Sequence, residues 1–469
     1  MSGAAERAGH LIAADDLLTL DVGPVAHGGH CVARAGGRVV FVRHTLPGER
    51  VRARVTEVRK SYLRADAVEV LTSSDDRVRP PCPYAGPGRC GGCDFQHVSL
   101  PAQRRLKAQV LVEQLVRLGG LSEAEIAGAA GAAGAAGGAA ATGAVGAAAA
   151  SAVGGAGSGE VLIVEGLDGA GLGWRTRVRY AVDGQGRVGF RRHRSHDVLP
   201  IDQCAIAAPE IQRAPVADRL WPGRDSIDVV RSGAGETVVA PGKPGRGSSP
   251  PAAQRADTGV GTDSGPTRPV VTELAVGRRW HIAPEAFWQI HPAAADTFAR
   301  CVVEMLRPQP GEQAWDLYAG AGLFAAALAE RVGLAGAVLA VESDPRPDPV
   351  GNLADLPQTK VAKGRVEQVL RRRSIRGVDL VVLDPPRSGA GVDVVRRIAA
   401  AAPRAVAYVA CDPAALARDV RTFRELGWAL TQLRAFDAFP MTHHMEAVAL
   451  LQPVARKARP TGGSAPRFR

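Results

Sequence analysis

Short apolar stretches alternate with polar residues through the first part of the chain, and glycine and proline separate them. The alternation predicts β-strands, because every second side chain of a strand points to the same face. Turn residues such as Gly28, Gly29 and Pro47 divide the stretches. The predicted strands cover residues 18–22, 31–33, 38–42, 50–58 and 65–71. Residues 16–74 are therefore predicted to form a small antiparallel barrel.

The pattern changes to a helical spacing over residues 100–118. Apolar residues recur at Leu106, Val110 and Leu115, and the pattern ends at Gly119 and Gly120. Residues 127–159 that follow are mostly alanine and glycine, and they predict a disordered insertion because they offer little side chain to bury. A second stretch rich in proline, glycine, serine and threonine, residues 241–269, predicts another disordered insertion.

Residues 161–198 alternate apolar and basic side chains, including Arg175, Arg177 and Arg179. This alternation predicts antiparallel strands with one basic face. The face either meets RNA or is simply solvated. Together, residues 75–126 and 160–279 are predicted to form a central mixed α+β domain that carries a cysteine cluster and binds RNA, between the barrel and the C-terminal region.

Residues 280–455 alternate predicted strands with predicted helices. The strands cover residues 313–317, 337–341, 380–383, 405–409 and 447–451. Such an order is typical of an α/β domain with a doubly wound, Rossmann-like sheet.

The composition limits the kinds of protein that this chain can be. The 469 residues carry a formal net charge of +11, which favours a polyanionic partner such as nucleic acid. Seven cysteines in so long a chain do not resemble a secreted disulfide framework, and the charged N-terminus lacks the apolar core of a signal peptide. No uncharged run is apolar enough for a membrane helix. We therefore expect a cytoplasmic protein without a membrane partner, and a monomer.

A glycine loop follows the first strand of the α/β domain. Tyr318, Gly320 and Gly322 lie between that strand and an apolar helix, where nucleotide-like ligands bind in doubly wound folds. Glu342 ends the next strand, and a carboxylate at that point suits a ribose diol. Because the third glycine of a pyrophosphate fingerprint is missing, the loop favours S-adenosylmethionine over NAD.

Three further strand ends carry reactive groups. Asp384, Pro385 and Pro386 form a rigid loop after one strand. Cys411 follows the next strand, where a cysteine is either a buried apolar residue or a nucleophile. Glu446 opens the last strand, and a glutamate at so apolar a place suggests a base or a ligand contact.

These motifs resemble those of the S-adenosylmethionine-dependent RNA uracil-C5 methyltransferases. The resemblance covers nearly the whole chain outside the termini and the two insertions, and it rests on residues 287–289, 316–324, 342, 384–387, 408–413 and 442–446. It implies a Rossmann-like class I methyltransferase domain in residues 280–455. It also implies that residues 16–74 are a TRAM domain, an OB-like RNA-binding barrel. An SH3-like barrel without a ligand is the alternative.

The resemblance also implies roles for individual residues. Cys411 is the nucleophile that adds to carbon 6 of uracil, and Glu446 is the base that removes the proton from carbon 5. Matching cofactor contacts are Gln289, Tyr318, Gly320, Gly322, Glu342 and Asp384. The target uridine must leave its stack to reach Cys411.

Four cysteines form a candidate metal site: Cys82, Cys90, Cys93 and Cys204. Four thiolates hold either tetrahedral zinc or an iron–sulfur cluster, and their spacing does not decide between the two. The segment from Cys90 to His97 is similar to the cluster segment of the ribosomal-RNA branch of the family. This similarity favours a [4Fe-4S] cluster over zinc.

The sequence thus predicts a 5-methyluridine methyltransferase acting on 23S ribosomal RNA. A tRNA substrate is the near alternative. A methyltransferase that modifies base amines could use Asp384, Pro385 and Pro386, but it would leave Cys411 and Glu446 without roles. The remaining alternative is an iron–sulfur RNA-binding protein with weak or lost turnover.

Overall fold

The N-terminal residues form the expected barrel in this computed structural model, which describes residues 12–137, 161–167, 169–242, 269–372 and 377–454. Val40, Val42 and Leu63 are fully buried, while the side chains between them point outward. The strands are β1 (Leu17–Asp21), β2 (Val25–Ala26), β3 (His30–Ala35), β4 (Arg38–Arg43), β5 (Arg50–Val58) and β6 (Tyr62–Thr72).

The barrel is mixed rather than antiparallel. Its strand order is β1-β5-β6-β4-β3-β2, and β4 pairs with β6 in parallel. The antiparallel prediction was wrong at this one pairing, because β5 forms a hairpin with β6 and thereby turns β6 into the direction of β4. Contacts between β1 and β3 bring the two sides of the sheet together.

Two helices follow the cysteine segment. The predicted helix is confirmed as α1 (Leu100–Arg117), and α2 (Glu123–Gly137) comes directly after it. α2 corrects the predicted insertion at residues 127–137. Ser122 and Glu125 cap its start reciprocally. Alanine is the strongest helix former, and Ile126 is among the buried residues that pack the helix onto its neighbours. Residues 138–159 of the predicted insertion lie outside the described residues.

The central region contains a short strand and then an antiparallel sheet. Its elements are β7 (Val164–Gly166), β8 (Arg177–Val182), β9 (Val188–Arg191), β10 (Val198–Pro200), α3 (Pro209–Arg213), β11 (Ser226–Arg231) and β12 (Thr237–Pro241). The sheet order is β10-β9-β8-β11-β12. Arg177 corrects the prediction of a fully solvated basic face, because it is buried and bonded to Glu273 at 2.6 Å. β12 includes Pro241, and most of the second predicted insertion, residues 243–268, lies outside the described residues.

The C-terminal region has the predicted α/β architecture. It begins with a hairpin and a helix, β13 (Val271–Ala275), β14 (Arg278–Ile282) and α4 (Ala294–Leu306). The sheet and its crossovers follow as β15 (Gln313–Leu317), α5 (Leu323–Val332), β16 (Ala337–Glu342), α6 (Pro349–Asn352), β17 (Thr359–Lys363), α7 (Val366–Arg372), β18 (Leu380–Leu383), α8 (Val392–Ala401), β19 (Ala405–Ala410), α9 (Pro413–Glu425), β20 (Trp428–Asp437) and β21 (Glu446–Pro453).

Within the described residues this sheet has eight strands in the order β17-β16-β15-β18-β19-β21-β20-β7. β15 to β19 run in parallel, β21 is antiparallel to both of its neighbours, β19 and β20, and β20 pairs with β7 in parallel. Separate apolar cores cover its two faces, as expected for a sheet with helices on both sides. The order reverses between β15 and β18, so a crevice opens at the carboxyl ends of these strands.

The central and C-terminal regions share structure. β7 pairs with β20 at the edge of the large sheet, and α1 packs against α9. The fully buried Lys107 of α1 bonds to Asp437 at 2.5 Å, which joins the helix to the end of β20. α1, α2 and β7, which the sequence assigns to the central domain, pack against the C-terminal sheet and its helices. The domain boundaries drawn from the sequence remain predictions.

A search of the described residues finds no helix that combines the length and the apolar character needed to cross a membrane.

Candidate active site

One cleft collects most of the predicted site residues. It opens at the carboxyl ends of β15, β16, β18 and β19, and its volume is about 600 Å³, the size of a typical small-ligand site. The predicted residues that line it are Gln289, Tyr318, Gly320, Glu342, Asp384, Cys411 and Glu446. Gly322 lies at the start of α5, next to the cleft. We call the part around Gly320 and Glu342 the glycine-loop end, and the part around Cys411 and Glu446 the thiol end.

The glycine loop takes an unusual backbone path. Tyr318 has a φ of 65°, and Gly320 and Gly322 have φ values of 54° and 95°. A side chain at Gly322 would bring its Cβ within 2.8 Å of Leu353, so glycine is required there by both conformation and space. The positive φ of Tyr318 stores backbone strain of the kind found at ligand sites.

The Glu342 carboxylate is held by the backbone. One oxygen accepts from the Gly320 amide at 2.8 Å, and the other accepts from the Ser343 and Asp344 amides at 2.6 Å each. These bonds fix the orientation of the carboxylate at the end of β16. Gln289 is buried at the same end, and the exposed Phe287 lies at the border of the cleft. This end therefore presents an aligned acceptor to a diol or an amine.

Strand register places the two reactive groups of the thiol end side by side. Ala410 of β19 pairs with Ala447 of β21 in an antiparallel ladder. One step beyond this last pair, the same register brings Cys411 next to Glu446, and the Glu446 charge adds to the raised pKa of the Cys411 thiol. A thiol and a carboxylate therefore line the same end of the cleft.

Burial dominates the electrostatics of the thiol end. It raises the pKa of Cys411 to about 12, with smaller contributions from the charges of Glu446 and Asp384. Burial also raises the pKa of Glu446 well above its ordinary value, and one carboxylate oxygen has no hydrogen-bond partner among the described residues. The pKa of Asp384 rises to about 7 through burial. Arg387 opposes the shifts of Cys411 and Glu446.

A fourth carboxylate lies beneath the glycine loop. Asp316 is fully buried, and its Oδ2 accepts from the Ala325 amide at the start of α5 at 2.8 Å. Its Oδ1 is without a hydrogen-bond partner in the described chain. Burial raises the pKa of Asp316 to about 8, and the charges of Asp384 and Glu342 add to the effect. Sequence reasoning placed Asp316 in the motif but gave it no role.

The loop after Asp384 is fixed from below by α9. Asp419 accepts from the Ala390 amide at 2.7 Å and from the Tyr408 hydroxyl at 2.7 Å. A Cβ at Gly389 would approach the Asp419 carboxylate to 2.7 Å, so the loop passes close to the helix. Asp419 thus joins the loop after Asp384 to β19, the strand that Cys411 follows, and fixes their relative positions.

The central region supplies site residues that sequence reasoning missed. Trp174 and Arg175 line the cleft, as do Phe439 and His444 from the loop before β21. Trp174 stacks on His291 with ring centres 6.0 Å apart. Arg175 was predicted only as part of a basic face. No local signal marks Trp174 or Arg175 as site residues, because they reach the cleft through contacts between distant segments, whereas His444 belongs to the motif 442–446.

The barrel also reaches the thiol end. His27, in the turn between β2 and β3, bonds to Asp412 at 3.1 Å, and Asp412 caps α9 directly after Cys411. Gly29 lies so close to His443 that a Cβ would approach the His443 Cβ to 2.7 Å. A second cavity of about 210 Å³ lies between this turn and α1 and also reaches Cys411. The nucleophile candidate therefore borders two cavities.

The four cysteines of the candidate metal site lie near enough for their charges to affect one another. All are free thiols, and those of Cys90, Cys93 and Cys204 have raised pKa values because of burial, with added contributions from the charges of neighbouring cysteines, Cys82 among them. A Cβ at Gly91 would lie 2.8 Å from the His193 backbone, so the loop is tightly seated. Across the described ranges, no three or more His, Cys, Asp or Glu side chains are grouped to hold a metal ion. The donor set suits a sulfur-ligated group, without the arrangement of a single-ion site.

Comparisons with known proteins agree with this geometry. A TRAM-domain family model matches residues 17–68, and the model described as tRNA (Uracil-5-)-methyltransferase matches residues 367–454. An RNA methyltransferase of Streptomyces avermitilis is 47% identical over 93% of this chain and 98% of its own. A 23S rRNA (uracil(1939)-C(5))-methyltransferase of Chromohalobacter salexigens is 31% identical over 94% of this chain and 90% of its own.

One solved structure is similar over nearly the whole chain. The Pyrococcus abyssi tRNA (uracil-54, C5)-methyltransferase in complex with S-adenosyl-L-homocysteine superposes with a TM-score of 0.61, at 21% identity. The alignment covers 92% of this chain and all of the other. At this identity, the likeness shows the fold.

Proposed function

Since the chain belongs to the RNA uracil-C5 methyltransferases that carry a TRAM domain, we propose that it methylates carbon 5 of one uridine in 23S ribosomal RNA through a covalent intermediate. The observation that carries the proposal is the placement of Cys411 opposite Glu446 in the cleft that also holds the glycine loop. Only a reaction with both a nucleophile and a base needs this pair.

The glycine-loop end is the proposed site of the methyl donor, S-adenosylmethionine. When bound, this group supplies an electrophilic methyl on a sulfonium sulfur. Glu342 is placed to accept hydrogen bonds from the ribose hydroxyls, since its carboxylate is already oriented by three backbone amides. Tyr318, Gly320, Gly322, Gln289 and Asp384 are the remaining proposed contacts. The fit rests on the open backbone at Gly320, which lines the cleft and where a Cβ would meet no atom within 4 Å.

Cys411 and Glu446 divide the proposed chemistry between them. The Cys411 thiolate adds to carbon 6 of uracil, and the electron pair of the 5,6 double bond becomes available at carbon 5. Carbon 5 attacks the methyl group, and the C–S electrons remain on the donor sulfur. Glu446 then accepts the proton from carbon 5, and the carbon 6–sulfur bond breaks to return the thiolate. Because the thiol has a pKa of about 12, its proton must leave before attack.

The ribosomal substrate is favoured over tRNA by one comparison. The relative named for 23S rRNA is 31% identical over nearly its full length, whereas the tRNA enzyme of known structure is 21% identical. The family model that matches residues 367–454 has a tRNA description, which keeps tRNA as the second candidate.

A transfer assay on two RNA pools tests this substrate. Purified protein is incubated with labelled S-adenosylmethionine and either ribosomal RNA or tRNA from cells that lack uracil-C5 methylation, and the nucleosides are identified by mass spectrometry. We expect label in 5-methyluridine from 23S rRNA. Label in tRNA alone would show that tRNA, and not 23S rRNA, is the substrate. Label in neither pool would contradict the proposed activity.

Covalent catalysis has its own test. RNA with 5-fluorouridine at the modified position cannot lose a proton from carbon 5, so the adduct with Cys411 should persist under denaturing conditions. Peptide mapping should place the RNA on Cys411. An adduct that still forms in Cys411→Ala would disprove this assignment.

We also propose that Cys82, Cys90, Cys93 and Cys204 hold a [4Fe-4S] cluster. The support is that the charges of these cysteines act on one another, and that the segment from Cys90 to His97 resembles the cluster segment of the family. Its role would be to hold the cysteine segment against the central sheet. Anaerobically purified protein should contain four irons and four acid-labile sulfides. One tightly bound zinc per chain would instead identify a zinc site.

A further inference from the structure

The reaction proposed for the thiol end releases two protons, one from the Cys411 thiol and one from carbon 5 of uracil. Glu446 is the proposed acceptor of the second proton. A carboxylate that had already taken the thiol proton would be occupied when carbon 5 must lose its own. Cys411 therefore needs a separate acceptor for its proton.

A histidine lines the second cavity together with Cys411. His443 belongs to the loop before β21, and the cavity that both residues line has a volume of about 210 Å³. A water needs only about 10–15 Å³ of such space, so the cavity has room for a water between the imidazole and the thiol. A general base can act through one water. The cavity thus connects a possible base with the thiol.

A carboxylate fixes the orientation of the His443 ring. Its Nδ1 lies 2.5 Å from Oδ2 of Asp94. Because a carboxylate only accepts, Nδ1 donates, and Nε2 of the neutral ring is left as a proton acceptor. Asp94 is itself buried and accepts from Arg43, at the end of β4, at 3.2 Å. A nucleophile, a base and a third group that orients the base form the usual arrangement of an activated cysteine.

The barrel turn closes over this histidine–carboxylate pair. A Cβ at Gly29 would approach the Cβ of His443 to 2.7 Å and the Cβ of Asp94 to 2.9 Å. Gly29 also has a φ of 77°, so both space and conformation require glycine there. Packing between the barrel and the loop before β21 therefore sets the position of the pair.

Two neighbouring histidines are poorer acceptors. The ring centre of His444 is 4.0 Å from that of His443, and its Nε2 lies 3.4 Å from the Arg387 guanidinium. Burial lowers the pKa of His444 to about 3 and the pKa of His30 to about 4, so both rings are only weakly basic. The other titratable or charged side chains on the cavity wall are His27, Lys107, Arg387 and Asp412.

We propose that His443 is the base that takes the proton of Cys411, through one water in the second cavity, before the sulfur adds to carbon 6 of uracil. The S–H bond breaks, the proton reaches Nε2 of His443, and the imidazolium pairs with Asp94. After the carbon 6–sulfur bond breaks at the end of the reaction, the imidazolium returns its proton to the thiolate. Glu446 releases the proton from carbon 5 to solvent. This inference rests on the proposed RNA methylation and adds the acceptor of the first proton.

The pH dependence of an alanine variant tests this base, with kcat and KM measured on unmethylated 23S rRNA. At pH 7 we expect His443→Ala to lower kcat about 10²–10³-fold, with KM within about threefold of wild type, because a general base contributes about this much. The kcat of His443→Ala should rise about tenfold per pH unit from pH 7 to 9, since it depends on spontaneous ionisation of a thiol with a pKa of about 12. Wild-type kcat should rise far less. Parallel pH profiles, or a kcat of His443→Ala close to wild type at pH 7, would overturn the proposal.

Added imidazole separates a base from a structural role. It should raise the kcat of His443→Ala at pH 7 at least about tenfold and leave wild type unchanged, because it can take the thiol proton from the vacated space. His27→Ala is the matched control, since it removes another imidazole that is bonded to a carboxylate and lines the same cavity. Imidazole should not rescue His27→Ala. Rescue of His27→Ala, or no rescue of His443→Ala, would overturn the assignment.

A conservative variant and a reaction without RNA control for folding. His443→Gln keeps an amide that can donate to Asp94 but has no basic nitrogen, so it should lose as much kcat as His443→Ala. Full activity of His443→Gln would overturn the proposal. Iodoacetamide should alkylate Cys411 at pH 9 within about twofold of the wild-type rate in both variants, because alkylation needs only the thiolate. A loss of alkylation as large as the loss of kcat would show a distorted site and overturn the role of His443 as a base.

Failure of this proposal can be told from failure of the proposed function. A wild-type protein that methylates no RNA would overturn both. If the wild-type protein methylates RNA and the two His443 variants match its kcat at pH 7, only the assignment of His443 fails.

Discussion

The Glu342 carboxylate at the glycine-loop end accepts three backbone hydrogen bonds, whereas the Glu446 carboxylate at the thiol end has a buried oxygen without a partner among the described residues. The first carboxylate is oriented by the backbone before any ligand arrives. The second is held in a site that disfavours its charge. The difference indicates that the glycine-loop end is preorganised and that the thiol end depends on its substrate to supply partners.

The largest expected effect comes from removing Cys411, the proposed nucleophile of the thiol end. Cys411→Ala should lower methyl transfer by at least about 10³-fold, because carbon 5 of uracil is not activated without a covalent bond to carbon 6. Initial rates with labelled donor check this. Cys301→Ala, which changes a buried cysteine of α4, should stay within a few-fold of wild type. Residual activity of Cys411→Ala within tenfold of wild type would contradict covalent activation.

Removal of the base should stop the reaction at a later step. Glu446→Gln is expected to lower kcat by about 10²–10⁴-fold, because the proton at carbon 5 loses its acceptor. The RNA adduct at Cys411 should then accumulate and appear on denaturing gels without any fluorinated base. Glu304→Gln, at a partly exposed ion pair of α4, serves as the control. A slow variant without an adduct would assign Glu446 to an earlier step.

Asp316 tests whether the glycine-loop end is fully preorganised. Its pKa of about 8 lies above the ordinary value, so the folded chain keeps a proton that the unfolded chain loses above about pH 4. The protonated Asp316 stabilises the folded wild-type protein, and this stabilisation is therefore lost as the pH rises toward 8. Relative to wild type, Asp316→Asn should gain at least about 2 kcal/mol of unfolding free energy between pH 5 and pH 8.

Chemical denaturation at the two pH values measures this gain. The matched control is Asp393→Asn, because Asp393 is an exposed carboxylate of α8. If the unfolding free energies of wild type and Asp316→Asn depend equally on pH, other groups of the folded chain must stabilise the charged form of Asp316.

The rate at which the Cys411 thiol is alkylated measures how strongly the thiol end disfavours negative charge. Because the pKa of Cys411 is raised to about 12, its alkylation by iodoacetamide should accelerate about tenfold per pH unit from pH 7 to 10 without a plateau. Peptide mass spectrometry follows the modification. Glu446→Gln removes one charge that raises this pKa, so it should speed alkylation about threefold to tenfold. A plateau below pH 9 would show an activated resting thiol.

The smallest effect concerns the contact between the barrel and the thiol end. His27→Ala removes the bond to Asp412, which caps α9 beside Cys411, and we expect kcat to fall about threefold to tenfold with KM changed less than twofold. His27→Gln should recover part of kcat, because its amide can donate to the same carboxylate. His281→Ala on β14 is the control. If KM alone changes, His27 acts through RNA binding.

Sequence reasoning identified the strands of the α/β domain because their apolar runs and the residues that follow them are local signals. Cys411 and Glu446 were found for the same reason, since each stands at the end of a recognisable strand. β17 and β20 were missed, as was the parallel pairing of β4 and β6. β17 is a short edge strand with polar residues at most positions, and the pairing of β4 with β6 skips β5, so no local apolar pattern marks either.

The Ala/Gly segment shows a second limit. Its composition suggested disorder, but Ala129 and Ala133 of α2 are buried, and a capped start with a few buried contacts is enough to order a helix. The proximity of His27 to Asp412 and the burial of Asp316 are likewise outcomes of tertiary packing. The roles of the site residues remain predictions for the experiments above.

The pairing of β7 with β20 has a consequence for the order in which the chain is completed on the ribosome. Gly166 must wait for Asp437, some 270 residues later, before the two can pair. At 5–20 residues per second, this delay is roughly 15–55 s. During that time β7 and the helices α1 and α2 lack the surface that they finally cover. Cotranslational chaperones therefore have a defined window in which to protect them.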